Sequence, residues 1–368
     1  MASKLAGCAM ALLSALAAHA VAQEMPPAPG AATVPATAPK VYHIDFIQPP
    51  PGFHSIRLQA INNAGDAAGI VERHYDPSTS LVIRRADGEM RVMPLPDMCT
   101  THDFVRVLRF NDQGQMLLDT SNCHSTVRSM LWGPSSGWKN IPQHALGMND
   151  LGDVVGVTDD HLGFVWKWDG DYGTFPLDAG AEFDAINDRR EIAGTVTHVA
   201  DPREPYDRDG ITGALLHFGH DPVYTGDKVI QSLADYKNPD FRGHRVASRA
   251  GAINERGAIG LTIGQGSTGM PVCLWHRDEA LRCADKVGNR SQVVGIDGQD
   301  RLVFSAAVKS EASYVLLPDG GTWSLNSVVD EEAFRPLAAQ DVSESGFVVG
   351  AIFHHDARSF ILAPLDGH

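Results

Sequence analysis

Basic residues are sparse and scattered in this chain: 30 lysines and arginines face 45 aspartates and glutamates, for a formal charge of -15. Without a Lys/Arg cluster there is no electrostatic footprint for nucleic acid or for an anionic membrane surface, so neither is expected as a partner. Long apolar runs are missing beyond the first twenty or so residues, which leaves no candidate for a spanning helix of 18 or more residues in the remainder. Cysteine is scarce, with 5 in 368 residues. No Ser-His-Asp or Cys-His nucleophile arrangement is visible from residue order.

What the first residues do contain is a leader pattern. Met1 to Lys4 is a short basic start, Leu5 to Ala18 is an apolar run, and Ala20-Val21-Ala22 offers small residues at the spacing a signal peptidase requires. Residues 1–22 are therefore expected to be a signal peptide, with Cys8 inside the discarded segment, and the protein to be periplasmic or secreted. Residues 23–40 are mostly Pro and Ala, a composition that buries no core and suits a linker. Four cysteines follow, an even number for an oxidising compartment. Cys273 and Cys283 flank an expected turn, and Cys99 and Cys123 lie on either side of Asn111. The expected pairs are 99 with 123 and 273 with 283; free thiols or a metal cluster are the alternatives, and the wide separation of the two pairs disfavours zinc.

The rest of the chain repeats one short frame. It reads Ile61-Asn62-Asn63-Ala64-Gly65, Phe110-Asn111-Asp112-Gln113-Gly114 and Met148-Asn149-Asp150-Leu151-Gly152-Asp153-Val154-Val155-Gly156. It returns at Asn187-Asp188, Asn254-Glu255, Asp297-Gly298 and Ser343-Glu344, with steps of 49, 38, 38, 67, 43 and 46 residues between turn positions. An Asn closing an Asx turn, followed three residues on by Gly at positive φ, is what a hairpin with a type I turn requires. Asp300 stands where Gly is usual and tolerates that conformation; Arg190 does so less readily, which predicts distortion of the fourth turn. A second hairpin follows, clearest in Gly163-Phe164-Val165-Trp166-Lys167-Trp168. Four strands per period of about 40 residues is the size of a propeller blade. The expected fold is all-β, a seven-bladed propeller of four-stranded blades over residues 41–368. The seventh unit ends at Phe360-Ile361-Leu362, one strand short, and Val41 to Phe46 is a strand without a unit, so the N-terminal strand is expected to complete the last blade.

The Asn-Asp-x-Gly-x-Val-Val-Gly block followed by a Phe-x-Trp strand resembles the extracellular HAF repeat of exported bacterial proteins. Leu162-Gly163-Phe164 and Arg358-Ser359-Phe360 stand where that repeat has His-Ala-Phe. The resemblance covers essentially residues 41 to 365 and implies a fold more than an activity.

Histidines concentrate in the connections of one propeller face. His54, His102, His144 and His244 precede the first strand of a blade, with Glu182 in the intervening fourth blade; His74, His124, His161, His198, His354 and His355 follow the second strand. Imidazole and carboxylate together suit zinc, copper, nickel or manganese, and an imidazole also serves as a general base; the bland alternative is that polar loops tolerate His anywhere. The long interval between Asn187 and Asn254 places a loop insertion within 199–245, beside His198 and His244. Asp207, Asp209 and Gly210 are a fragment of a calcium loop without its later ligands, and Gly264 to Gly269 matches a phosphate-loop pattern with no helix to follow it. Trp132, Trp166, Trp168 and Trp275 sit at strand positions and are expected in the core. The favoured function is a non-enzymatic, monomeric propeller binding a protein, peptide or glycan through His54, His102, His144, Glu182, His198 and His244. The alternative is a hydrolase or lyase of an extracellular polymer using a His base and a divalent metal. No particular cofactor is indicated.

Overall fold

The computed structural model describes residues 37–368 except 74–77, 101–102, 104, 124–126, 142, 169–171, 176–180, 198–210, 217–230, 233–246, 265–270, 277–280, 285–290, 307–311, 332–334, 353–357 and 366–368, with backbone only at 172–175, 181, 196–197, 211–216, 231–232, 247–248 and 264. The leader and most of the Pro/Ala linker, together with His74, His102, His124, His198, His244, His354, His355, the calcium-loop fragment and most of the phosphate-loop pattern, lie outside the described residues. No helix of the described residues is long and apolar enough to cross a membrane.

The strands pair into seven four-stranded antiparallel sheets, six of them meanders of consecutive strands and the seventh completed by the N-terminal strand, and the protein is an all-β propeller. The first strand of each repeat is the innermost: Ser55–Ile61, Arg106–Phe110, His144–Met148, Ala181–Ile186, Ala247–Ile253, Ser291–Ile296 and Leu337–Val342 in blades 1 to 7. Alternating apolar residues on the sheets meet between neighbours, forming one buried cluster per blade interface. Phe110 and Trp132 pack between blades 1 and 2, Phe164 and Trp166 between 2 and 3, and Val349 and Ile361 between 7 and 1. Trp132, Trp166 and Trp275 are buried there, and Trp168 is half-buried against the cluster of blades 2 and 3. In blade 4, Ile211–Leu216 is the third strand and Gln231–Ser232 the fourth, so the stretch from 231 read as loop opens on strand residues.

Closure occurs as the termini require. Tyr42–Ile47 pairs antiparallel with Ser359–Pro364, Asp45 opposite Ile361, as the outer strand of blade 7. The chain joining blades 6 and 7 holds it from the other side: Val41 N donates to Val328 O at 2.9 Å and Asp330 N to Tyr42 O at 2.8 Å. Both disulfides form, Cys99 with Cys123 and Cys273 with Cys283, the latter pair directly opposite across a strand pair.

The repeated turn explains the repeated Asn. Each turn side chain accepts the N–H four residues on, as in Asp153 N to Asn149 Oδ1 at 2.8 Å. Its Nδ2 reaches the next blade: Asn111 donates to Asn149 O (3.1 Å), Asn149 to Asn187 O (3.0 Å), Asn187 to Asn254 O (3.0 Å) and Asn254 to Asp297 O (2.8 Å). An amide both accepts within its own turn and donates to its neighbour, which a carboxylate cannot do. The fourth turn is not distorted as expected. Arg190 adopts φ 62° and closes the same turn, Arg190 N to Asn187 O at 2.9 Å. That conformation costs a non-glycine residue about 1–2 kcal/mol. Its compensation lies across the interface, where Arg190 Nε donates to the buried Asp153 carboxylate at 2.7 Å.

Candidate functional site

The inner strands surround a polar channel with two chemically different mouths. At the turn mouth, the residue after each turn residue is Asn63, Asp112, Asp150, Asp188, Glu255, Gly298 and Glu344. A cavity of about 130 Å³ lies there, with Asn63, Asp150, Asp188, Glu255 and Glu344 in its wall. The carboxylates serve the ring itself. Asn63 N donates to Asp112, Asp112 N to Asp150 and Asp150 N to Asp188, each at 2.8 Å; Asp188 N donates to Glu255 at 2.7 Å and Glu255 N to Glu344 at 3.2 Å. Burial pushes Asp150 up to about 6 and Glu344 up to about 7, against the pull of the backbone N–H groups and with help from neighbouring carboxylates. Asp188 and Glu255 are raised by burial as well.

The opposite mouth belongs to the connections in which histidines concentrate. Each inner strand carries a register shift at one place, between Leu58 and Ala60, Val107 and Arg109, Ala145 and Gly147, Phe183 and Ala185, Ala250 and Ala252, Val293 and Gly295, Ala339 and Asp341. Because the shift always falls three residues before the turn residue, the positions five before it stand at one height. They are Arg57, Arg106, His144, Glu182, Arg249, Gln292 and Ala338, a polar crown interrupted only at blade 7. The Gly of the repeated Val-Val-Gly maintains this register. A Cβ on Gly156 would enter the carbonyl of His144, and one on Gly350 that of Ala338, so the second strand lies hard against the crown residue's backbone.

Charges in the crown link adjacent blades. Arg249 Nη2 donates to Glu182 Oε1 at 2.6 Å and to Asp184 Oδ1 at 3.0 Å. Burial pushes Asp184 up to about 6, with Arg249 opposing it. Arg57 pairs with Glu72. Deeper in, Arg109 Nη1 lies 3.5 Å from Asp341 Oδ1, and burial raises that carboxyl while Arg109 opposes the shift. The exposed Arg106 side chain makes neither hydrogen bond nor ion pair among the described residues, and its charge adds to that of Arg109 in opposing the shift of Asp341.

Of the residues chosen from sequence, His144 and Glu182 take places in the crown. His144 Nε2 is 3.8 Å from Asp159 Oδ1, and Glu182 is held by Arg249. His54 is exposed one residue before its strand, with its N–H donating to Glu72 O at 2.9 Å. His161 lies at φ 59° in the turn after the second strand of blade 3. Among the described residues His54, His144 and Glu182 do not come together as a ligand set. The one group that does, Cys99, Asp103 and Cys123, has both sulfurs in a disulfide and so no thiolate to offer. Arg57, Arg106, Arg249 and Gln292 were missed, although counting back five residues from each turn residue finds them.

No protein-family model matches the chain, and no curated protein matches it. Solved structures do. A streptogramin B lyase structure aligns with a TM-score of 0.54 at 9% identity, covering 88% of this chain and 98% of that one. Virginiamycin B lyase from Staphylococcus aureus aligns with a TM-score of 0.53 at 9% identity, covering 88% and 99%. At such identity the likeness lies in the β-propeller fold alone.

Proposed function

We propose that this is an exported, monomeric, non-enzymatic propeller that binds a peptide, a glycan or a partner protein across the crown mouth. The observation that carries the reading is the common register of Arg57, Arg106, His144, Glu182, Arg249 and Gln292. Hydrogen-bonding side chains at one height on a rigid ring form a platform for a polar chain, and uncommitted Arg106 offers a planar donor to a carbonyl or carboxylate. The turn mouth is a weaker candidate, because its carboxylates hold the blades together. Export is supported by the leader pattern and by two disulfides, which persist in oxidising compartments; the HAF-repeat resemblance agrees with it. Peptide and glycan arrays probed with wild type and with Arg106→Ala/His144→Ala test the reading. The expected result is a ligand whose retention falls at least about tenfold in the variant, the size of losing a charge-assisted hydrogen bond. Ligands retained equally by both proteins would overturn it.

A second reading, a hydrolase or lyase acting on an extracellular polymer, is favoured by one feature, an imidazole in the crown, His144, with the Asp159 carboxylate 3.8 Å away. Turnover of a polysaccharide or peptide polymer by wild type and its loss in His144→Ala would establish it over the binding reading.

A further inference from the structure

Neighbouring blades share a packing device that is complete at one interface and incomplete at the next. In blade 2, Lys139 stands opposite Leu131 on the outer strand, and in blade 1 Arg91 stands opposite Ile83 at the equivalent place. Each cation covers the tryptophan at or next to the end of the third strand of the following blade. Lys139 Nζ lies 5.9 Å from the Trp166 ring, and Arg91 Cζ lies 5.8 Å from the Trp132 ring.

Between blades 2 and 3 a second ring completes the arrangement. Trp168, two residues past Trp166, meets it edge to face at 6.3 Å and an angle of 89°. Lys139 Nζ sits 3.7 Å from the Trp168 ring centre and donates to Trp168 O at 3.0 Å. Between blades 1 and 2 the residue two past Trp132 is Pro134. A cavity of about 190 Å³ remains there, walled by Ile83, Phe110, Trp132 and Pro134, with Arg91 and Glu89 also lining it. A cavity of about 150 Å³ suffices for benzene in an apolar protein interior. The exposed Arg91 side chain makes no ion pair or hydrogen bond among the described residues, and Arg85 beside it is committed to Asp66 at 2.5 Å.

We infer that this gap between blades 1 and 2 is a binding site for a small aromatic acid, whose ring takes the place that Trp168 fills one blade further on and whose carboxylate pairs with Arg91. The wall supplies apolar and aromatic surface for the ring, and the guanidinium supplies a planar fork for the carboxylate. The gap opens beside the turns that hold Gly114 and Pro134, at the turn end of the propeller, so the site is independent of the crown.

Isothermal titration of the full mature chain, disulfides intact, with indole-3-acetate, indole and tryptamine tests the inference. Indole-3-acetate is expected to bind, indole about tenfold more weakly, and tryptamine most weakly, as loss or reversal of one charge-assisted contact predicts. Arg91→Gln is expected to weaken indole-3-acetate by about tenfold and leave indole unchanged. Pro134→Trp, which restores the missing ring, is expected to abolish binding of all three. Three results would overturn the proposal: no binding of indole-3-acetate by wild type at millimolar concentration and low salt, tryptamine binding more tightly than indole-3-acetate, or wild-type affinity in a folded Pro134→Trp variant.

Discussion

At the scale of the residue, the turn asparagine explains more than its turn. An Asx turn is satisfied by Asn, Asp or, more weakly, Ser, and the molecule uses all three: Asp297 Oδ1 accepts Arg301 N and Ser343 Oγ accepts Phe347 N where the repeat drifts. An aspartate cannot donate, however, and the link from blade 6 onward is made instead by Gly298 N to Glu344 O at 2.8 Å. The amide is therefore selected by the neighbouring blade. Asn149→Ala removes the acceptor of Asp153 N–H and the donor to Asn187 C=O, both buried. Asp153 N–H is left without a partner, at a cost of about 1–3 kcal/mol, while Asn187 C=O loses one of its two donors and keeps Arg190 N–H. Asn149→Asp keeps the first bond and loses the second, so its loss should be smaller than that of Asn149→Ala. Denaturant unfolding of the two variants checks this ordering.

At the scale of the element, the closing strand is the part on which the others depend. Tyr42, Ile44 and Ile47 are buried in the clusters that flank blade 7. Each such side chain contributes about 1.5–3 kcal/mol of burial, so the three together approach the whole net stability of an ordinary domain, about 5–15 kcal/mol. Removing residues 38–47 also bares the edge of Ser359–Pro364, a long apolar strand. The truncated chain is expected to aggregate or to dimerise by edge pairing, while the full mature chain elutes as a monomer in size-exclusion chromatography. A truncated monomer with an unchanged melting temperature would show that the ring does not need its closing strand.

At the scale of the whole molecule, the sequence made the ring legible and left the site largely hidden. Turn residues with strong local demands, Asn149 and Gly152 among them, announce hairpins because a few neighbouring residues determine them. The disulfides followed from their positions relative to those turns. The crown was hidden because its members share only a register. Arg57, His144 and Glu182 have nothing in common as side chains, and histidine content marks loops and not strand height. The fourth turn escapes its expected distortion through a partner that no local pattern shows: Asp153, which holds Arg190, belongs to another blade, 37 residues away in sequence.

The same ring has a pH signature whose sign can be worked out. Asp150, Asp184 and Glu344 sit at about 6, 6 and 7 in the folded protein, above their ordinary values of 3.8, 3.8 and 4.5, with burial the leading cause. A carboxyl raised on folding binds its proton more tightly in the folded chain, so it opposes folding in full above the folded pKa and progressively less as pH falls through it. His43, raised by its hydrogen bond to Asp330, acts in the same sense: its stabilisation is present below the ordinary imidazole range and is lost as pH rises through its folded pKa. Asp330, lowered by that bond, acts in the opposite sense only below the ordinary carboxylate range. The propeller is therefore expected to gain stability as pH is lowered from 8 towards about 5, and to lose it again at stronger acid. Guanidinium unfolding at pH 8 and at pH 5 measures the gain. Glu344→Gln should flatten the change, since the neutral amide keeps an acceptor for Glu255 N–H without the charge. A midpoint that falls between pH 8 and pH 5, or a slope that Glu344→Gln leaves untouched, would mean that the turn carboxylates do not carry the proton uptake.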